Sequence, residues 1–305
     1  MQLRTIYDVH IQKVTTFTLR QHKAPKLHKP ARMSLYVKHE RAPYLRIAMS
    51  KSTPHVLPFD QPEAFLEGQV MVIDKPLTWT SFDVVNKVRY ALRGFTDAKK
   101  IKVGHAGTLD PLATGVLVVC CGRATKTIDT LQAQAKVYTA TIRLGAHTPS
   151  LDAETDVDRW AEDPVRVTGL TLDDVKAGTD TLTGTLEQRP PLYSAKKVRG
   201  VKAYEAARKG ADIQLRTSTV TVTAFQVEGM TLAEVDSHPV LDVDVTIHCS
   251  KGTYIRSLAR DLGDHLGVGG TLTALRRMSS GDFHVDHAWR VDDLVAQLNR
   301  DNANA

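Results

Sequence analysis

In the segment VLDVDVTIHC (240–249) every second residue from Leu241 onward is apolar: Leu241, Val243, Val245, Ile247 and Cys249. A period of two sends alternate side chains to opposite faces of an extended chain, so this segment must be a strand with one face covered and one polar. That requirement excludes an all-helical protein and demands a sheet with an apolar layer against it. KVYTATIRLG (136–145) carries the same alternation. QVMVID (69–74), TLTGTLEQ (181–188) and STVTVTAFQVE (218–228) read as further strands, and VLVVCC (116–121) as a strand buried throughout, entered from a glycine-rich loop. Helical spacing appears between them. Phe82, Val85, Val88 and Leu92 follow a Thr80/Ser81 cap with Asp83 in the first turn, residues 171–177 form a short helix, and Ile255, Leu258, Ala259, Leu262 and Leu266 make an apolar stripe over 253–266. Val291, Leu294, Val295 and Leu298 define a last amphipathic helix. Most strands lack helix-length crossovers, which points to an α+β fold with a largely antiparallel sheet and no internal repeat.

Charge divides the chain. Residues 1–66 hold 11 Lys and Arg against 4 Asp and Glu, a balance of +7, whereas 67–305 hold 29 against 30. With its scattered prolines and weak periodicity, the first part reads as a basic, mostly disordered extension (1–66), followed by a folded domain (67–296) and a polar tail (297–305). Basic character in the folded part therefore rests on local clusters. The apolar runs are too short to span a bilayer, and the N-terminus lacks the apolar core of a secretory signal. Three cysteines, Cys120, Cys121 and Cys249, form neither a disulfide framework nor a metal-ligand spacing, so a reducing cytoplasm is the expected setting.

The loop GHAGTLDPLATG (104–115) calls for a chemical explanation. Gly104, Gly107 and Gly115 permit backbone shapes or close approaches denied to other residues, and Pro111 biases Asp110 towards an extended conformation. A carboxylate is thereby presented on a constrained loop directly before a buried strand. A plain Asp-Pro turn accounts for the loop equally well on its own.

GHAGTLDPLATGVLVV resembles the signature loop of the TruB-type tRNA pseudouridine synthases. DKPLTWTSFDVV (74–85), KVYTATIRLGAHTPSLD (136–152), QRPPLYSAKKVRGVKAYEAAR (188–208), CSKGTYIRSLARDLG (249–263) and LRRMSSGDF (275–283) resemble the family's other motifs in their order. The resemblance covers roughly residues 68–296 and implies the pseudouridine synthase fold, a curved, mainly antiparallel mixed sheet flanked by helices and RNA-binding insertions. It implies an enzyme that turns the T-arm uridine-55 of tRNA into pseudouridine without a cofactor or metal. The bond from ribose C1′ to N1 breaks, the base turns, and C5 joins the sugar.

The same resemblance assigns roles. Asp110 matches the catalytic aspartate, as nucleophile at sugar or base or as acceptor of a sugar proton. Tyr138, on the strand face shared with Ala140, Ile142 and Leu144, matches the tyrosine that stacks on the flipped uracil and helps remove the C5 proton; periodicity alone makes it a core tyrosine. Arg256, off the apolar stripe of its helix and therefore expected in solvent, matches the arginine that holds the aspartate ionised. His105, Lys75, Pro76 and Tyr254 are implied neighbours of the substrate.

RNA contact falls to two basic runs: Arg93 with Lys99, Lys100 and Lys102, and Lys196 and Lys197 with Arg199, Lys202, Arg208 and Lys209. Where the family often carries a glycine, this chain has Thr155, which implies a different turn. Only 22 residues follow Phe283, the pattern of a short form without the RNA-binding PUA domain. The extension is either an RNA arm or the product of an upstream start. No protein partner is implied, and a monomer is expected. Two other classes are a tRNA-folding chaperone on the same scaffold, which has no need of the Asp110, Tyr138 and Arg256 set, and a base-excising glycosidase, which would release free uracil.

Overall fold

The structure, a computed structural model, describes residues 56–193, 197–198, 201–202 and 215–300. Its strands are β1 (Val70–Lys75), β2 (Val103–His105), β3 (Ala113–Cys121), β4 (Lys136–Leu144), β5 (Ala146–His147), β6 (Arg159–Trp160), β7 (Gly184–Gln188), β8 (Lys197–Val198), β9 (Val201–Lys202), β10 (Ser218–Val235), β11 (His238–Cys249), β12 (Gly270–Ser280), β13 (Phe283–His284) and β14 (Trp289–Arg290). The helices are α1 (Pro62–Glu67), α2 (Ser81–Phe95), α3 (Ile128–Gln132), α4 (Pro164–Gly169), α5 (Leu172–Thr181), α6 (Ile255–Leu266) and α7 (Val291–Arg300).

Among the described residues the main sheet runs β14-β1-β3-β12-β4-β11-β10-β7, with β2 paired to β3 and β13 to β12. Only β14–β1 and β3–β12 are parallel. The sheet is therefore mixed and mainly antiparallel, as the strand spacing predicts. Its two halves differ in the number of faces they bury. In β4 the residues alternate strictly between buried and half-buried, and its inner face, Tyr138, Ala140, Ile142 and Leu144, joins that of β11 under Leu258, Leu262 and Leu266 of α6. In β1 and β3 both faces are covered. Ile73, Leu117 and Val119 pack against α1, α2 and α7, while Val72, Val116 and Val118 pack against Ala106 and Val285. A strand covered on both sides needs a continuous apolar run, which is the pattern of VLVVCC.

Caps set the helix ends. The Thr80 hydroxyl accepts from the Asp83 N–H at 3.1 Å while the Asp83 carboxylate accepts from the Thr80 N–H at 2.9 Å, a reciprocal box that starts α2. Gly267 stops α6 with a left-handed φ of 70°.

Two expectations need correction. The core begins before residue 67: Leu57 and Phe65 are buried, and the Phe65 ring meets Phe95 edge-on at 5.4 Å. The core also runs past residue 296, because α7 continues to Arg300 and buries Leu298 completely. A further strand, β12, in the middle of the sheet, has no strand signature in the sequence. Two register shifts, at Leu272/Ala274 and Arg277/Ser279, break its period of two, and two adjacent arginines obscure the rest. Arg276 points outward to a paired Asp74 at 2.7 Å, and Arg277 points inward.

Candidate active site

The loop between β2 and β3 is held from several sides. Ser81, the first residue of α2, donates its hydroxyl to the Leu109 carbonyl at 3.0 Å and accepts the Leu109 N–H at 2.9 Å. The Thr78 N–H donates to the Pro111 carbonyl at 2.8 Å. Gly115, at φ 100°, lies so close to β12 that an added Cβ would sit 2.2 Å from the Arg277 carbonyl oxygen, so only glycine lets the strands pair there. Asp110 is the polar tip of this braced loop, and its side chain keeps 38% exposure.

Arg256 contradicts the expectation of a solvated arginine. It is 4% exposed. Its Nη2 lies 3.1 Å from the Asp110 carboxylate and 2.9 Å from the Tyr193 carbonyl, and its Nη1 lies 3.3 Å from the Asp152 carboxylate and 2.9 Å from the Ser150 carbonyl. The first turn of α6 carries it, between core residues Ile255 and Leu258. Asp110 feels opposed influences: its crowded surroundings, with help from Asp152 and Glu154, raise its pKa, while Arg256 and then Lys75 lower it. The net direction is upward from the usual carboxylate value, and its remaining exposure to water moderates the shift.

Asp152 and Arg277 are the residues that sequence reasoning missed. Asp152 is buried at the end of a turn whose Thr148 hydroxyl donates to the Asp152 carbonyl at 2.8 Å. Thr155, the departure from the family pattern, is built into this turn. Its hydroxyl accepts the Ser150 N–H at 3.1 Å and lies 2.8 Å from the Ser150 hydroxyl, and Ser150 in turn offers its carbonyl to Arg256. The signal for Asp152 was its place as the last residue of the 136–152 motif.

Tyr138 faces inward on β4, in register with Arg277 of β12 and Ile247 of β11. Arg277 is 1% exposed and donates to the Val116 carbonyl at 2.6 Å and to the Gly107 carbonyl at 3.0 Å. It sits directly across from Tyr138 in the β12–β4 pairing. Burial pushes the Tyr138 phenol up, and Arg277 pulls it back. One guanidinium thus ties the Asp110 loop to strand β3, beside Tyr138.

The remaining candidates separate. Half-buried His105, at the end of β2, has its pKa lowered by burial and by Arg277. Lys75, expected near substrate, is fully buried, and its ammonium donates to the carbonyls of Pro76 at 2.8 Å, Trp79 at 2.6 Å and Pro111 at 3.3 Å. All three of its protons serve the backbone, so its position is that of a clamp on the loop. Burial lowers its pKa to about 8. Pro76 is half-buried beside it. Tyr254 caps α6, with its backbone held by the Gln188 side chain at 2.8 and 3.1 Å. Lys196 lies outside the described residues, as do Arg199, Arg208 and Lys209; Lys197 and Lys202 are described only through the backbones of β8 and β9. A shallow, open depression adjoins Asp110 and is lined also by Leu112, Asp152, Arg256, Leu272 and Leu275.

Similarity to known proteins agrees with this geometry. Residues 93–255 match the model of the TruB family pseudouridylate synthase N-terminal domain, and residues 256–305 that of the tRNA pseudouridylate synthase B C-terminal domain. The chain is 48% identical over 236 residues to tRNA pseudouridine synthase B of Parabacteroides distasonis, covering 76% of this chain and 95% of that one. It is also 48% identical over 230 residues to the Thermobifida fusca protein of the same name, covering 75% of each. The structure is similar to a Cbf5-Nop10-Gar1 complex, with a TM-score of 0.54 and 28% identity, covering 80% of this chain and 58% of that chain. With both parts of the family matched and four of its motifs meeting at Arg256, the chain belongs to the TruB family of pseudouridylate synthases.

Proposed function

We propose that this protein isomerises uridine to pseudouridine in tRNA, at the T-arm uridine-55, acting in the cytoplasm as a monomer. The observation that carries the reading is the Asp110–Arg256 pair, 3.1 Å apart on a loop braced from several sides, in a chain of the TruB family.

The reaction redistributes atoms within one nucleotide. The C1′–N1 bond breaks, C5 bonds to C1′, the C5 proton leaves and N1 gains a proton. No electron is gained or lost overall. Asp110 supplies the carboxylate at the sugar–base bond, and Arg256 keeps it oriented and favours its charged form. Arg256 is itself held by two carbonyls and by Asp152, so little reorganisation accompanies the step. Tyr138 offers a ring for the everted base and a hydroxyl, beside Arg277, that relays the C5 proton. Eversion costs a few kcal/mol of unstacking, recovered by these contacts.

The test is incubation with unmodified tRNA and mapping of pseudouridine. Conversion at the T-arm uridine is expected. Release of free uracil would replace this reading with base excision, and tight binding without either product would leave a binding protein.

A further inference from the structure

Helix α2 buries Val84, Val85, Val88 and Leu92 yet leaves two aromatic rings in water: Phe82 is 62% exposed and Tyr90 80%. Nothing in the packing of α2 among the described residues accounts for two large rings on its outer side. Positions 82, 86, 90 and 93 fall along one side of a helix, and eight residues carry the chain about 12 Å along the axis. The strip they form starts at the active-site loop. Ser81 is bonded to Leu109, and Leu77, 54% exposed, belongs to the turn whose next residue, Thr78, bonds Pro111.

Its far end is basic. Arg93 and the Lys99, Lys100 and Lys102 side chains are exposed. Arg89 brings the two segments side by side: one end of its guanidinium donates to Asn86 at 2.7 Å, and the other to the Val103 carbonyl at 3.1 Å, adjacent to Lys102. Two acids lie nearby. Asp83 is engaged in the helix cap, which leaves Asp97 as the exposed acid of the 96–102 segment. Exposed aromatics leading from the reaction site into a run of exposed cations form a surface complementary to a strand of phosphates and bases.

Resting on the reading of tRNA as substrate, we propose that this strip is a second RNA-contact surface: unpaired bases of the tRNA stack on Phe82 and Tyr90, and phosphates are held by Arg93, Lys99, Lys100 and Lys102. It extends the hold on the RNA away from the everted uridine and contributes affinity without chemistry.

The test uses the full chain and a tRNA transcript. In Phe82→Ser/Tyr90→Ser both rings are removed from water, so folding should be kept, as checked by thermal melting. Its Kd and KM for tRNA should rise at least about fivefold, the loss expected from one base–aromatic stack, with the rate at saturating tRNA unchanged. In Lys99→Glu/Lys100→Glu/Lys102→Glu the slope of log Kd against log salt should fall by about 0.7–0.9 for each phosphate that is no longer neutralised. Unchanged Kd and salt slope in both variants would overturn the proposal. A slower rate at saturation with Kd unchanged would also overturn it, because the strip would then act on the Asp110 loop. If the unaltered protein makes no pseudouridine, the proposed reaction fails, and the two binding measurements still decide the surface.

Discussion

Asp152 pairs with the Nη1 end of Arg256 at 3.3 Å, which leaves the Nη2 end for Asp110 at 3.1 Å. One buried guanidinium is thus shared by two carboxylates, of which Asp152 is buried and Asp110 keeps 38% exposure. A charge partner on one end of a planar fork fixes the direction of the other end. Asp152→Ala should therefore lower the single-turnover rate by about tenfold to a hundredfold, the range for removal of a charge-assisted hydrogen bond. The Kd for tRNA should stay near the unaltered value. An unchanged rate would show that the two carbonyls alone orient Arg256.

Asp110→Asn keeps the size of the side chain and removes its charge and basicity. Turnover should be lost while tRNA binding is kept, and pseudouridine mapping beside a binding assay checks both. The carboxylate must be ionised, so activity should be full above its pKa and fall as pH drops through it. Because crowding raises that pKa, the fall should begin at a higher pH than for an ordinary carboxylate. A rate flat down to the ordinary carboxylate range would contradict this.

Tyr138→Phe preserves the ring and deletes the hydroxyl beside Arg277. Removal of the C5 proton should slow by about a hundredfold or more, within the range for deletion of an acid–base group, with little change in affinity. Rapid-quench single-turnover measurements report this, and a near-normal rate would take the hydroxyl out of the chemistry.

Thr155→Val removes a hydroxyl that serves both the N–H and the hydroxyl of Ser150. The cost should be about 1–3 kcal/mol of stability, the penalty for leaving such groups unsatisfied, and the turn under Arg256 should loosen. Thermal unfolding and single-turnover rates should fall together. Thr155→Ser, which keeps the hydroxyl, should recover most of both.

Deleting residues 1–55 keeps every core side chain of the described residues, so turnover at saturating tRNA should be nearly unchanged, with any loss of affinity largest at low salt. Deleting 1–66 also removes Leu57 and Phe65 from the core. Loss of a buried Phe alone costs about 3–5 kcal/mol, so the shorter protein should melt at a clearly lower temperature. Equal melting temperatures would show that α1 is dispensable.

What the sequence by itself determined is what short-range periodicity can carry. The alternation in 136–144 and 241–249 specified strands with one covered face, the run at 116–121 a strand covered on both, and Thr80 with Asp83 a helix start. These follow from the geometry of each element and need no partner. The motifs also marked Asp110, Tyr138 and Arg256. The tertiary structure alone decided the environment of charge. Arg256 reads as a surface residue, and only the Asp152 turn and the Asp110 loop, packed against α6, make it a buried one. Arg277 looks like a polar interruption until β12 is placed between β3 and β4, where its guanidinium meets carbonyls distant in sequence. Lys75 reads as a substrate contact, yet the fold surrounds its ammonium with three backbone carbonyls. Burying a charge is costly unless it is paired, and its partners come from other strands and loops, so its role is set by long-range packing that no local pattern records.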